Sequence, residues 1–337
     1  NHIQSIFVLK YMGYVTWELY PFLEMEYANM ITLDIIVKQP EITLPKYTFR
    51  AILKQILEGM RAFHSSGLVH RDIKCDNIIL HCPPGSGRVH AKISDFGFAK
   101  IVDLNNKQTY LAGTIPFMSP EQFHDNPIIT QKVDIYALGI TFYKLITHKY
   151  PVNESAIEEQ GKKLALLKCI KRPSEIKDNL LWDLLSRLLE FDPEKRIAAA
   201  EALQHPYFTS PEALSDISKE QQDLASLSAV AEFEGDSSIT QFDKDPTFIE
   251  FKSITSLSYI ATEEQLQAER DLLELNMTLE EIKEKFEIFS NLSFLERDVV
   301  CVNLHKLLEG NKQNCIKTQQ IGIIDIILHI MNTFPLE

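Results

Sequence analysis

Three things are scarce in these 337 residues, and each scarcity removes a class of explanation. Cysteine occurs five times, at Cys75, Cys82, Cys169, Cys301 and Cys315, an odd number with no Cys-x-x-Cys pair. That usage argues against a disulfide framework and for a reducing, cytoplasmic setting. No apolar run reaches the roughly 20 residues that a membrane-spanning helix needs; the most apolar stretch, 321–331, is short and carries Asp325 and His329, so no membrane association is expected. Basic tracts are missing as well. Thirty-four Lys and Arg stand against 47 Asp and Glu, a net charge of −13, which leaves nothing to displace phosphate counterions and argues against nucleic acid as a partner. The first residue is Asn1 rather than Met, and no signal peptide follows; the chain is read as a piece of a longer product.

What is present supports a large core. Hydrophobic residues make up 45%, enough for two domains or one large domain with an appendage. The front, 1–38, is strand-rich, with β-branched and aromatic runs at 5–16 and 19–27. From Leu44 the period changes: Ile52, Ile56, Met60 and Phe63 recur at helical spacing and Gly67 ends the run. Two short apolar strands, 77–81 and 89–94, flank the Pro-Pro-Gly-Ser-Gly turn at 83–87. A long apolar helix is predicted over 131–148, and two more over 178–208, joined at Phe191-Asp192-Pro193. Between 211 and 250 lie ten acidic residues and two lysines, a composition that predicts a solvated, partly disordered linker. Helical periodicity returns over 263–290 and 291–334.

The chemistry concentrates in two strings. Residues 70–77 read His-Arg-Asp-Ile-Lys-Cys-Asp-Asn, and Asp95-Phe96-Gly97 follows eighteen residues after Asn77. Asp72 is a carboxylate suited to accept a hydroxyl proton. Lys74, two residues on in an extended loop, projects to the same side. Asn77 and Asp95 offer a neutral and a charged oxygen, which suits Mg²⁺. Each residue alone is ordinary surface, and Cys75, beside Lys74, is by default a plain small residue. Cys82, His81 and His90 match no standard zinc spacing. The composite is different: a helix, then His-Arg-Asp-Ile-Lys-x-x-Asn, then two strands, then Asp-Phe-Gly. This series resembles the catalytic loop and metal-binding turn of eukaryotic protein kinases.

The resemblance extends over about 1–210. It implies an α+β, protein-kinase-like fold with an incomplete N-lobe sheet and a full helical C-lobe, followed by an all-α appendage. It implies ATP and Mg²⁺ as cofactors and proteins as substrates. Carried onto matching positions, Asp72 would orient or deprotonate the substrate hydroxyl, Lys74 would stabilise the transferring phosphoryl group, and Asn77 and Asp95 would hold the metal. His70, Phe96 and Gly97 would complete the two motifs. Gly113-Thr-Ile-Pro-Phe-Met-Ser-Pro-Glu121 resembles the close of the activation loop, with Thr114 hydrogen-bonded to Asp72 and Lys74. Asp134 would anchor the catalytic-loop backbone, and Glu121 would pair with Arg196. Met25, Glu26 and Ala28 would form the gatekeeper and hinge, and Ile79 the floor under adenine, although core packing also accounts for Met25 and Ile79. Thr109 or Tyr110 would carry an activating phosphate received by Arg71, or lie in an unmodified loop. Lys74 and the Gly113-Thr114 pair indicate Ser/Thr rather than Tyr specificity.

Departures from the pattern matter too. No Gly-x-Gly-x-x-Gly, no Val-Ala-x-Lys strand and no partner helix Glu occur, and His2-Ile3 resembles the stretch just after that helix. These parts are expected to lie before residue 1, so this chain should bind ATP weakly and turn over little. Near the end, Gly310-Asn311 and the Ile321–Met331 run resemble one unit of an armadillo-type repeat, which would be a docking piece for partner proteins or the start of an array; an ordinary helical appendage also accounts for it. The expected division is therefore 1–210 kinase domain, 211–260 acidic linker and 261–337 helical segment. The expected function is Ser/Thr phosphorylation of proteins; the alternative is a non-catalytic kinase-like scaffold.

Overall fold

β-branched and aromatic residues crowd the first 27 positions, and in the computed structural model they form an antiparallel hairpin of β1 (Tyr11–Trp17) and β2 (Tyr20–Met25). The structure describes residues 3–17, 20–40, 44–101, 113–124, 127 and 129–251. The chain divides into two units, Asn1–Ser258 and Tyr259–Glu337. The second unit, with its expected armadillo-type repeat, lies outside the described residues, as do Thr109 and Tyr110.

After α1 (Asp34–Lys38) comes α2 (Lys46–Ser65), whose Ile52, Leu53, Ile56, Leu57, Met60 and Phe63 form one buried stripe. Its end is marked by Gly67 at φ 77°. β3 (Leu68–Val69) leads into the 70–77 loop. β4 (Ile78–His81) and β5 (Arg88–Ile93) pair from Ile78↔Ile93 to His81↔His90, and β6 (Lys100–Ile101) closes back on β3. α3 (Lys132–Thr147) is buried around almost its whole circumference, which fits a helix at the centre of a lobe.

Four short helices follow it, α4 (Ile157–Leu166), α5 (Asn179–Leu188), α6 (Ala199–Ala202) and α7 (Pro206–Thr209), of which α5 packs on α3 and α6 and α7 on α2. Asp178 caps α5 by accepting the Leu180 and Leu181 N–H groups at 2.9 and 3.1 Å. The stretch 178–208 thus holds three helices, not two, because Pro193 and Pro206 restart the backbone. No helix among the described residues is long and apolar enough to cross a membrane.

The acidic stretch corrects its sequence reading. Through residue 251 it is folded: α8 (Pro211–Ser215), α9 (Lys219–Phe233), two 3-10 turns, and β7 (Glu250–Phe251), which pairs with β5. Its acids are not simply solvated. Asp216 meets Arg50 at 2.6 Å, Asp245 lies 4.0 Å from Lys54, and Asp243 meets Arg88 and His90 at 3.1 and 3.0 Å. The cations that pair with Asp216, Asp243 and Asp245 sit on α2 and β5, far away in sequence, while Asp223 and Glu232 pair with Lys219 and Lys244 of the segment itself.

Candidate active site

The loop 70–77 turns sharply because Arg71 adopts φ 71°, a left-handed conformation that costs a non-glycine residue about 1 kcal/mol or more. Asp134 on α3 holds it there. Its two carboxylate oxygens accept the N–H groups of His70 and Arg71, each at 2.8 Å, and His64 Nε2 lies 2.8 Å from the same group. Asp134 is fully buried, so these partners replace the water it gave up. His64, at the end of α2, was not singled out from the sequence. A histidine six residues before His70 carries no sequence signal of its own.

His70 is buried, and burial lowers its pKa against the pull of Asp134 and the Ser94 carbonyl. Its Nδ1 accepts the Asp72 N–H at 3.3 Å and its Nε2 lies 2.9 Å from the Ser94 carbonyl, which fixes the tautomer with the proton on Nε2. Phe96 packs edge-on against it at 5.8 Å and stacks on Phe63 at 5.7 Å. The Asp95-Phe96-Gly97 turn is thereby keyed into the core through Phe96. Asp95 itself is exposed at φ 60°, accepting the Gly97 N–H at 3.2 Å.

Three side chains converge on one carboxylate. Asp72 Oδ2 accepts from Asn77 Nδ2 at 2.9 Å and from Lys74 Nζ at 3.1 Å. Thr114 Oγ1 accepts from Lys74 Nζ at 3.0 Å and donates to Asp72 Oδ1 at 2.8 Å. Asp72 is thus oriented by a cation, an amide and a hydroxyl. Asn77 Nδ2 also donates to the Asp72 carbonyl at 2.8 Å, so both amide protons are committed and Oδ1 is left as an oxygen donor. Ser94 N–H bonds the Asn77 carbonyl at 2.9 Å. Asn77 and Asp95 therefore flank the same end of the β4–β5 hairpin, and a neutral and an anionic oxygen there suit a hard divalent cation.

Gly113 makes the approach of Thr114 possible. Its φ is +119°, and a Cβ there would stand 2.6 Å from the Arg71 carbonyl oxygen. Gly113→Ala is expected to cost about 1–3 kcal/mol and to pull Thr114 off Asp72. Thermal denaturation and the rate of phosphoryl transfer check the two halves.

Further along, Arg196 Nη1 and Nη2 form a bidentate pair with Glu121 at 2.6 and 2.9 Å. Arg196 also donates to the Glu190 and Lys132 carbonyls, each at 2.7 Å, and lies over the Tyr136 ring. This cluster ties residues 120–123 to α3 and to the loop after α5.

At the expected hinge, Glu26 N–H is taken by the Lys10 carbonyl at 2.8 Å, and its side chain accepts from Lys10 N–H at 2.8 Å and from Lys92 Nζ at 2.9 Å. Met25 is 44% exposed, which overturns the core-packing account of it. Ala28 is half-buried, and Ile79 is half-buried between the fully buried Ile78 and Leu80. Cys75 is buried, and burial raises its thiol pKa, so it is inert. His81 and His90 bond Asn29 and Asp243, and no metal-binding cluster of His, Cys, Asp and Glu occurs among the described residues.

His81 also carries a pH dependence. Burial, reinforced by Lys92 and His90 and opposed by Glu26, lowers its pKa from 6.5 to about 4. Below pH 6.5 the unfolded chain takes up a proton that the folded chain refuses until about pH 4. Stability is expected to fall as the pH drops through that window. His81→Gln should lose less melting temperature over it than the unaltered chain.

The sequence model of the protein kinase domain matches residues 1–208. The chain belongs to the protein kinase domain family. Its kinase domain is similar to that of sperm motility kinase 3A of Mus musculus, 36% identical over 166 residues, covering 49% of this chain and 32% of that protein. It is also similar to the serine/threonine-protein kinase cds1 of Schizosaccharomyces pombe, 34% identical over 202 residues, covering 56% of this chain and 41% of that one. The kinase fold also matches a chain in the crystal structure of the yeast RNA Pol II CTD kinase CTDK-1 complex, with a TM-score of 0.54 at 21% identity, over 61% of this chain and 77% of that one. The chain thus spans less than half the length of these curated relatives.

Proposed function

We propose that this protein transfers the γ-phosphoryl group of ATP to serine and threonine hydroxyls of proteins. The observation that carries the reading is the convergence of Lys74, Asn77 and Thr114 on Asp72, joined to serine/threonine kinase relatives. When bound, the Mg²⁺–ATP complex supplies the transferable group and neutralises its charge. Asn77 Oδ1 and Asp95 hold the cation. Ile79 and Met25 contact the adenine, and the hinge backbone at Glu26 and Ala28 meets its edge. Asp72 orients the substrate hydroxyl and takes its proton on a carboxylate oxygen. Lys74 places its ammonium where charge develops, held by Thr114. Asp134, His70, Phe96 and Gly97 keep these groups in register. Arg71, whose Nε bonds the Phe98 carbonyl at 2.6 Å while Nη1 is buried without a hydrogen-bond partner among the described residues, receives a phosphate on Thr109.

A second reading rests on a sequence fact. No Gly-x-Gly-x-x-Gly and no Val-Ala-x-Lys occur in the 337 residues, which leaves a kinase-like scaffold as the alternative. Residues 261–337 then serve to hold partner proteins. Three free cysteines among the described residues support placement in the cytoplasm. The test is transfer of γ-labelled phosphate to a general protein acceptor followed by phosphoamino-acid analysis. Phosphoserine and phosphothreonine that vanish in Asp72→Asn support the enzyme. Absence of transfer at saturating ATP and Mg²⁺ supports the scaffold.

A further inference from the structure

We propose that residues 239–251 are a positioning segment for the nucleotide site, gripping β5 through Asp243 and the Gln55 side chain; the inference rests on the kinase reading above. The segment lies beyond the residues matched to the family, 1–208.

β5 has β4 along one edge. The other edge is filled from two directions. Near the site, Ile93 N–H bonds the Phe7 carbonyl at 2.9 Å and the Ile93 carbonyl accepts Leu9 N–H at 2.8 Å. At the far end β7 pairs with Arg88 and Val89. Without β7 those backbone groups form an open sheet edge.

Side chains deepen the grip. Asp243 is buried, and its Oδ1 faces His90 Nε2 at 3.0 Å and Arg88 Nε at 3.1 Å. Its Oδ2 accepts Thr240 N–H and Oγ1–H at 2.8 and 2.7 Å. Gln55, on α2, joins three elements. Its Oε1 accepts Ala91 N–H at 2.7 Å, and its Nε2 donates to the carbonyls of Val89 at 3.0 Å and Phe248 at 2.6 Å. Phe242 and Phe248 pack on Phe7 with ring centroids at 5.2 and 5.9 Å, so the segment also braces the strand that flanks Ile93.

What β5 carries makes the grip matter. Lys92 reaches Glu26 of the hinge at 2.9 Å. Two residues past Ile93 stands Asp95, and Ser94 bonds Asn77. The hinge tail 31–33 is bonded to β4 at Ile78 and Leu80. One hairpin thus sets both the hinge and the two proposed metal ligands, and the 239–251 segment clamps that hairpin from its outer edge.

The test uses the full 337-residue chain with Asp243→Asn, the milder Thr240→Val, which removes one support of Asp243, and Asp243→Glu as the conservative rescue. Hydrogen–deuterium exchange over 70–95, the melting temperature and the Kd for Mg²⁺–ADP are read together. Asp243→Asn is expected to speed exchange about tenfold in 89–95 and around Asn77, as local opening becomes easier, and to weaken Mg²⁺–ADP several-fold, with Thr240→Val smaller in the same direction and Asp243→Glu recovering part. Faster exchange confined to 219–251 with unchanged Mg²⁺–ADP affinity, even where the melting temperature drops, overturns the proposal. If Asp243→Asn does not fold, Thr240→Val decides by the same two readings. A chain that takes up no Mg²⁺–ADP with Asp243 intact sinks the kinase reading instead, and exchange at Asn77 and Asp95 then decides the positioning claim by itself.

Discussion

Replacing Arg196 with alanine is expected to lower the stability of the folded unit by about 3–5 kcal/mol. The guanidinium is completely buried and Glu121 nearly so, at 0% and 8% side-chain exposure. Deleting the cation strands a nearly buried carboxylate without its partner, and the Glu190 and Lys132 carbonyls lose their donor as well. The cost belongs to the orphaned charge rather than to the pair. Glu121→Leu combined with Arg196→Met should therefore cost less than Arg196→Ala alone, because neither charge remains. Chemical denaturation of the single and double variants measures both. A double variant as damaged as the single one would show that the pair itself, through its shape and hydrogen bonds, carries the stability.

Asp72→Asn is expected to reduce phosphoryl transfer by about 10²–10⁴-fold, the range for a positioned acid–base group, while changing stability by about 1 kcal/mol or less. The amide keeps the size of the side chain and a carbonyl oxygen for Lys74 and Asn77. It cannot hold a proton taken from a hydroxyl. The readout is the transfer rate at saturating ATP beside the melting temperature. A variant that melts normally and transfers at the original rate would remove Asp72 from the chemistry and leave its contacts with Lys74, Asn77 and Thr114 as packing.

The candidate loop was legible in the chain because its residues lie close in sequence and together resemble the catalytic loop of protein kinases. Asp72, Lys74 and Asn77 must share one turn to meet, and an Asp-Phe-Gly turn after two strands has few other uses. The same holds for the stripe on α2 and the Pro-Gly turn between β4 and β5. Other features depend on partners that no local window contains. Met25 reads as a gatekeeper or as core packing until its neighbours are placed, and it is 44% exposed. His64 acquires a role only through Asp134, seventy residues away. The 211–250 stretch was misread for the same reason. Ten acids and few large apolar groups look solvated until Arg50, Lys54, Arg88 and His90 are brought opposite three of them, Asp216, Asp243 and Asp245.

By itself the sequence determined the make-up of the candidate site: which carboxylate, amine and amide share one loop, and that an acid follows two strands later. It did so because those residue types at those spacings, in that order of elements, resemble a kinase catalytic loop and metal-binding turn. Only the tertiary structure decided how far the folded body extends and what grips the hairpin beside the site. That outcome depends on long-range charge pairing, on a strand completing a sheet edge, and on aromatic packing between residues more than two hundred positions apart, none of which has a local signature.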